Sequence, residues 1–154
     1  MEKLLKYLEE AEKIIQTTDH LVYVTFPIVK DKKILIKALL ETKIAISNCI
    51  NSILQYEYLY KRIKLYKNPK RNLQTFKEKS SKRYNISFQE IKLIEELFNI
   101  IEHHKKSPIE FIKNEKIIIL SENMNSYSIN IEKIKNFIGL SKNILKKTKN
   151  QILR

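Results

Sequence analysis

From the start of the chain, the positions Leu4, Leu8, Ala11, Ile15, Thr18, Val22, Thr25 and Val29 step by three and four. That spacing keeps them on one face of a helix. The stretch "HLVYVTFPIV" is β-branched and aromatic, a composition that favours a strand. The helical phase nevertheless passes through it unbroken, and Ile14, Leu21 and Ile28 run beside the stripe. The pattern predicts one long helix over residues 2–29, bent near Pro27, which lacks the backbone N–H that a helix interior needs. The alternative is a helix that ends near Thr18, with Asp19 opening a new element.

The polar break "KDKK" precedes a second long helix over about 32–63. Its polar positions, Lys33, Lys37, Glu41, Asn48, Ser52, Gln55 and Arg62, follow one narrow stripe. The remaining positions are largely apolar, which marks a central helix with neighbours on several sides. Two long helices joined by a short polar turn predict an antiparallel hairpin. Residues 65–72, "LYKNPKRN", read as a loop at Asn68-Pro69. A short helix over 73–83 has only Leu73 and Phe76 as anchors.

Ser87-x-x-Glu90 is a capping box, with Ile86 and Ile91 placed as a hydrophobic staple. The helix it opens carries the stripe Ile91, Ile94, Leu97, Phe98 and Ile101, with His104 next on that face. Lys105 and Lys106 suit the negative helix end, and Pro108 stops it. "EFIKNEKIIIL" predicts a β-hairpin turning at Asn114-Glu115, and "SENMNSYS" a loop. Asn130 is placed to cap a last helix whose stripe is Ile131, Ile134, Ile138, Ser141, Leu145, Thr148 and Ile152. The expected fold is all-α: an antiparallel bundle of four main helices, two of them long and N-terminal, with a small β-hairpin before the last. Residues 1–154 read as a single domain.

Composition narrows the chemistry. The single glycine, Gly139, lies inside a helix, so no phosphate-cradling P-loop or dinucleotide fingerprint is available. Cys49 is the only cysteine, which excludes an intrachain disulfide and points to a reducing, cytoplasmic setting. The N-terminus has the charge pattern of a helix rather than of a signal peptide. The longest apolar run, from Leu21 to Val29, is too short for a bilayer.

The net charge is +13, with Lys abundant and Arg rare. A uniform compositional drift toward lysine would spread that charge evenly, yet it is segregated. Residues 1–57 are neutral, 58–89 carry ten basic side chains against one acid, 90–132 are net −3, and 133–154 are net +7. The basic segment interleaves Lys61, Arg62, Lys64, Lys67, Lys70, Arg71, Lys77, Lys79, Lys82 and Arg83 with Tyr58, Tyr60, Tyr66, Phe76 and Tyr84. Cations of this density suit phosphates, and exposed tyrosines stack on unpaired bases. The expected nucleic-acid contacts are therefore those ten cations, with Tyr60, Tyr66 and Tyr84 for stacking. The lysine face of the last helix, Lys135, Lys142, Lys146 and Lys149, extends the patch if the fold brings the two together.

The adjacent His103 and His104 point about 100° apart on a helix and have no His or Cys three or four residues away. That excludes the usual zinc spacing, and no metal or other cofactor is expected. Glu9-Glu10-Glu12 and Glu95-Glu96 read as solvated helix faces, and no catalytic residue is assigned. The leading expectation is a non-enzymatic nucleic-acid-binding module, RNA ahead of DNA and with no membrane association. A second is a protein-interaction or scaffold subunit, recognisable by an exposed apolar patch on the first helix and by homodimers or a protein partner. A third is a metal-independent ribonuclease using His104 with Lys105 or Lys106.

Two long antiparallel helices, an excursion and two shorter helices resemble the HEPN class of small helical bundles. The blocks "DHLVYVTFPIVKDKK" and "EHHKKSPIEF" are similar to stretches of small archaeal proteins that lend no function. Active HEPN ribonucleases carry an Arg-x4–6-His motif. The positions here are Lys13, Ile14 and Ile15 before His20; Glu96, Leu97 and Phe98 before His103; and Leu97, Phe98 and Asn99 before His104. None is arginine, so the resemblance implies a catalytically silent member that binds RNA or protein.

Overall fold

The computed structural model describes residues 1–106, 109–113, 116–120 and 126–154. Helix α1 spans Glu2–His20 and continues through a π-helical turn, Leu21–Thr25, into a last α-turn, Phe26–Val29. Helix α2 spans Lys32–Leu59 and packs along α1 as its antiparallel partner. Helix α3, Pro69–Thr75, continues through a second π-turn, Phe76–Ser80, to Arg83. Helices α4, Phe88–Lys106, and α5, Ile131–Ile152, complete the bundle against α2. The fold is all-α, with a small antiparallel sheet before the last helix.

The first helix shows how local chemistry bends a regular pattern. Leu4, Leu8, Ala11, Ile15, Thr18 and Val22 are buried, as the three–four spacing predicts. Beyond Val22 the expected stripe fails: Phe26 is buried in place of Thr25, and Val29 is exposed. Pro27 has no N–H to return to the carbonyl of Tyr23, and the turn before it widens so that the Phe26 N–H donates to the Leu21 carbonyl, five residues back. The wider turn inserts one residue into the period and slips the stripe by one. Ile28 is left 80% exposed.

The Asp31 side chain caps α2 by accepting from the Lys33 N–H at 2.9 Å. Its core residues run from Leu35 to Leu54, as expected of a central helix. Two members of its predicted polar stripe behave differently. The helix ends at Leu59, so Arg62 lies beyond it. Ser52 is buried, and its hydroxyl donates to the Leu4 carbonyl at 3.2 Å, tying the middle of α2 to the start of α1. Cys49 is buried too, and desolvation pushes its thiol up to about 12, against a smaller opposing effect of Lys149.

Helix α3 begins earlier than the sequence pattern suggests. Asn68-Pro69 marks a helix start rather than a loop: Asn68 accepts from the Lys70 N–H at 2.9 Å, and Pro69 takes the first-turn position whose N–H is not needed. The capping box of α4 closes reciprocally. The Ser87 N–H donates to Glu90 Oε1 and the Glu90 N–H to Ser87 Oγ, both at 3.1 Å. Asn130 caps α5 by accepting from the Lys133 N–H at 2.8 Å.

The sheet has one strand more than the expected hairpin. Strands β1, Ile109–Lys113, and β2, Lys116–Leu120, pair antiparallel with Lys113 opposite Lys116. Strand β3, Ser126–Asn130, adds on the other edge of β2, with Leu120 opposite Ser126 and Lys116 opposite Asn130. Ser126 to Ser128 belong to this strand, not to the loop read from "SENMNSYS". The turn expected at Asn114-Glu115 and the stop at Pro108 lie outside the described residues. Ile117, Ile119 and Ile129 are buried, which anchors the sheet in the common core.

With one glycine in the chain, turns are closed by other residues. Lys30, Lys61 and Asn85 adopt left-handed backbone conformations with φ of 54°, 58° and 58°. Lys61 and Asn85 occupy the position that glycine usually takes in a Schellman helix end. The Arg62 N–H reaches the Glu57 carbonyl at 3.0 Å, and the Ile86 N–H reaches that of Ser81 at 3.0 Å.

Candidate nucleic-acid interface

The basic segment leaves α2 at the Schellman end and returns along α3, so its two limbs lie side by side. What joins them is an acid on α2. Glu57 is buried, with 3% of its side chain exposed, yet it carries two ion pairs. Its Oε2 accepts from Arg62 at 2.7 Å and its Oε1 from Arg83 at 2.8 Å. One carboxylate thus pins both the start and the end of the segment to the central helix.

Arginine is the suitable residue here. Its planar fork matches a carboxylate, and it stays charged when partly desolvated. The third arginine of the segment, Arg71, lies over the ring of Tyr66 at 3.9 Å. Tyr66 is held in turn by Asn72, whose side chain accepts from the Tyr66 N–H at 2.8 Å and donates to its carbonyl at 2.7 Å. In a chain with four arginines, three therefore hold this segment in shape. Lys77 ties it to α4 through Glu95 at 3.0 Å.

The lysines are left over. Lys61, Lys64, Lys67, Lys70, Lys79 and Lys82 are exposed and have no ion pair among the described residues. Three of them gather around a cleft of about 340 Å³ lined by Lys61, Arg62, Ile63, Lys64, Tyr66, Thr75 and Lys79, with no carboxylate in its wall. Lys61 reaches this place from a left-handed residue, a conformation that costs a side chain about 1 kcal/mol relative to glycine.

Among the aromatic residues, Tyr58, Tyr60 and Tyr66 are exposed. Tyr60 lies between the Tyr56 ring, 4.8 Å away, and Arg62, 5.0 Å away. Tyr84 corrects the expectation that it stacks on bases: it is 1% exposed and belongs to the core. Burial pushes its hydroxyl far above the ordinary tyrosine range, with the Glu57 carboxylate adding to the effect. That hydroxyl has no hydrogen-bond partner among the described residues. The burial has a geometric cause. Tyr84 follows the Arg83 anchor directly and sits at a Schellman end, so its ring is turned inward as the chain reverses toward α4.

The lysines of α5 serve a different purpose. Lys149 pairs with Glu12 at 2.9 Å and Lys142 with Asp19, both on α1; Lys133 pairs with Glu96 at 3.0 Å and Lys147 with Glu90, both on α4. Lys135 meets Glu132 at 3.7 Å and lies 5.0 Å from the Tyr23 ring. At Glu90 burial opposes ionisation, but the Lys147 ammonium and the Ser87 hydrogen bonds outweigh it and hold the carboxyl below its ordinary value.

His103 and His104 are half-buried at the end of α4, and neither lines the basic cleft. Among the described residues no group of three His, Cys, Asp or Glu side chains could hold a metal ion, and no helix is long and apolar enough to cross a membrane. Sequence reasoning missed Glu57, which sits in a segment of zero net charge. The available signal was the scarcity of arginine: two arginines at the ends of a lysine-rich stretch imply a carboxylate between them. No family model matches the chain, and no curated protein or solved structure shows significant similarity to it, so the comparisons lend the HEPN resemblance no support.

Proposed function

We propose that the protein binds single-stranded nucleic acid, RNA ahead of DNA, without catalysing a reaction on it, through the lysine surface of residues 61–82. The observation that carries this reading is the acid-free cleft of Lys61, Lys64 and Lys79, in a segment whose arginines are already engaged with Glu57 and Tyr66. Magnitudes separate the cations that can act. Breaking a buried ion pair costs about 3–5 kcal/mol, whereas an exposed pair contributes about 0–1. Arg62 and Arg83 therefore stay with Glu57, while the unpaired lysines release only counterions when they meet phosphate. Exposed Tyr58, Tyr60 and Tyr66 favour unstacked bases over a duplex, whose bases are not open to stacking.

The test is binding of a labelled oligoribonucleotide across a salt series. Affinity should fall steeply with salt, and each of Lys61, Lys64 and Lys79 changed to Ala should lower the slope of log affinity against log salt by about 0.7 for a single strand. Binding that ignores salt, or substitutions that leave the slope unchanged, would reject the reading.

A protein-interaction role has its own observation. The end of α1 exposes Tyr23, Val24, Ile28 and Val29, the last of these displaced from the expected core stripe by the phase slip at the π-turn. Light scattering over a concentration range, comparing the native chain with Ile28→Glu, tests whether that face self-associates.

A further inference from the structure

A second cleft is lined by the first turns of α3. It holds about 590 Å³ between α2, α3 and α4, within the range of small-molecule sites. Its walls include the apolar side chains of Ile50, Leu54, Leu73 and Phe98. Lys43, Asn51 and Glu102 also line it, so donors and acceptors of both charges stand beside that apolar surface. Lys43 lies 5.5 Å from the centre of the Phe98 ring.

Two features connect this cleft to the basic one. Lys70, an unpaired lysine of the phosphate-binding surface, is also one of its lining residues. Asn72 lines it as well, and the same Asn72 amide holds the backbone of Tyr66, which lines the basic cleft. The Tyr66–Asn72 pair is thus a shared wall. A polyanion lying over Lys61, Lys64 and Lys79 is led by Lys70 to the mouth of an apolar slot.

We infer that this slot receives one unstacked base of the bound strand, an inference that rests on the nucleic-acid reading above. A nucleobase has two flat apolar faces and an edge carrying both donors and acceptors. The apolar walls match the faces, and Asn51, Lys43 and Glu102 offer an amide, a cation and a carboxylate to the edge. Lys70 at the slot and the neighbouring lysines of the segment suit the phosphates on either side of the base.

The experiment compares a short labelled oligoribonucleotide with an abasic strand of equal phosphate count, by fluorescence anisotropy at low salt with the full chain. The native protein should bind the base-bearing strand about tenfold more tightly, the order expected for burying one base. Asn51 is exposed at the cleft, so Asn51→Trp fills the slot without touching the core. It should remove the tenfold preference and leave abasic binding unchanged. Leu73→Ala, which strips an apolar wall, should reduce the preference in the same direction, with circular dichroism verifying the fold. Equal binding of the two strands by the native protein overturns the inference while leaving the lysine surface standing. A preference that survives Asn51→Trp also overturns it. Failure of both strands to bind removes the nucleic-acid reading and this inference together.

Discussion

Residues 58–89 and 133–154 are both strongly basic, at net +9 and net +7, yet the fold treats them in opposite ways. The second segment is one helix laid between two acid-bearing helices, and four of its lysines are paired with Glu12, Asp19, Glu90 and Glu96. The first segment has a single acid of its own, Glu78, which accepts from Gln74. Two acids from outside it complete the pairing: Glu57 holds two arginines and Glu95 holds Lys77. Its other lysines have no ion pair among the described residues. Net charge along a sequence measures supply; which charges can meet a ligand depends on the acids that other elements bring within reach.

Charge reversal should separate the two segments most sharply. Lys61, Lys64 and Lys79 changed together to Glu should lower RNA affinity on the order of a hundredfold at low salt, because three phosphate contacts become repulsions. The same reversal at Lys135, Lys142 and Lys146 should change it by less than tenfold. Filter binding of the two triple variants gives the comparison directly, and equal losses would erase the distinction.

The next effect is on stability. Glu57→Gln should cost about 2 kcal/mol in urea unfolding, below the full cost of breaking a buried pair because both guanidiniums can turn to water. Glu12→Gln, which releases the partly exposed Lys149, should cost less than about 0.5 kcal/mol. Comparable losses would mean that the arginine clamp is no firmer than a surface pair.

Lys61→Gly should raise stability by about 1 kcal/mol by relieving the left-handed side chain, while weakening RNA binding. That opposite movement, read by thermal melting and anisotropy on one variant, would identify Lys61 as a cation kept at a cost to the fold. Tyr84→Phe should leave RNA binding unchanged and keep or raise the melting temperature by the equivalent of at most about 1 kcal/mol, since its buried hydroxyl has no hydrogen-bond partner among the described residues. A loss of binding would return Tyr84 to the interface.

The smallest expected effect is the pH response of Glu90. Its carboxyl ionises more readily folded than unfolded, so its contribution is present above the unfolded value of about 4.3 and is lost as pH falls through the lower folded value. Glu90→Gln should flatten the acid side of the stability profile in that window, seen as a smaller drop in melting temperature below about pH 4.

Short-range features were legible in the amino-acid order. The Ser87–Glu90 box, the Asn130 cap and the α5 stripe each depend on residues within a few positions, so spacing alone specifies them. The extra strand β3 was not, because the short stretch Ser126–Asn130 becomes a strand only when β2 offers an edge. The phase slip at Leu21–Thr25 was half legible: Pro27 announced a disturbance, but a bend and a π-turn answer the same missing N–H.

The candidate interface divides along the same line. Its cations and exposed tyrosines could be named from the sequence, since a dense run of lysines cannot be buried. The roles within it could not. Tyr84 went to the core, the arginines went to Glu57 and Tyr66, and Lys142, Lys147 and Lys149 of α5 went to acids more than fifty residues away in the chain. The amino-acid sequence by itself determined the four main helices, the caps at Ser87 and Asn130, and where positive charge is stored. Only the tertiary structure decided which of those charges are neutralised, because an ion pair depends on distance in space, and packing alone brings Glu57, Glu12 and Glu90 to their partners.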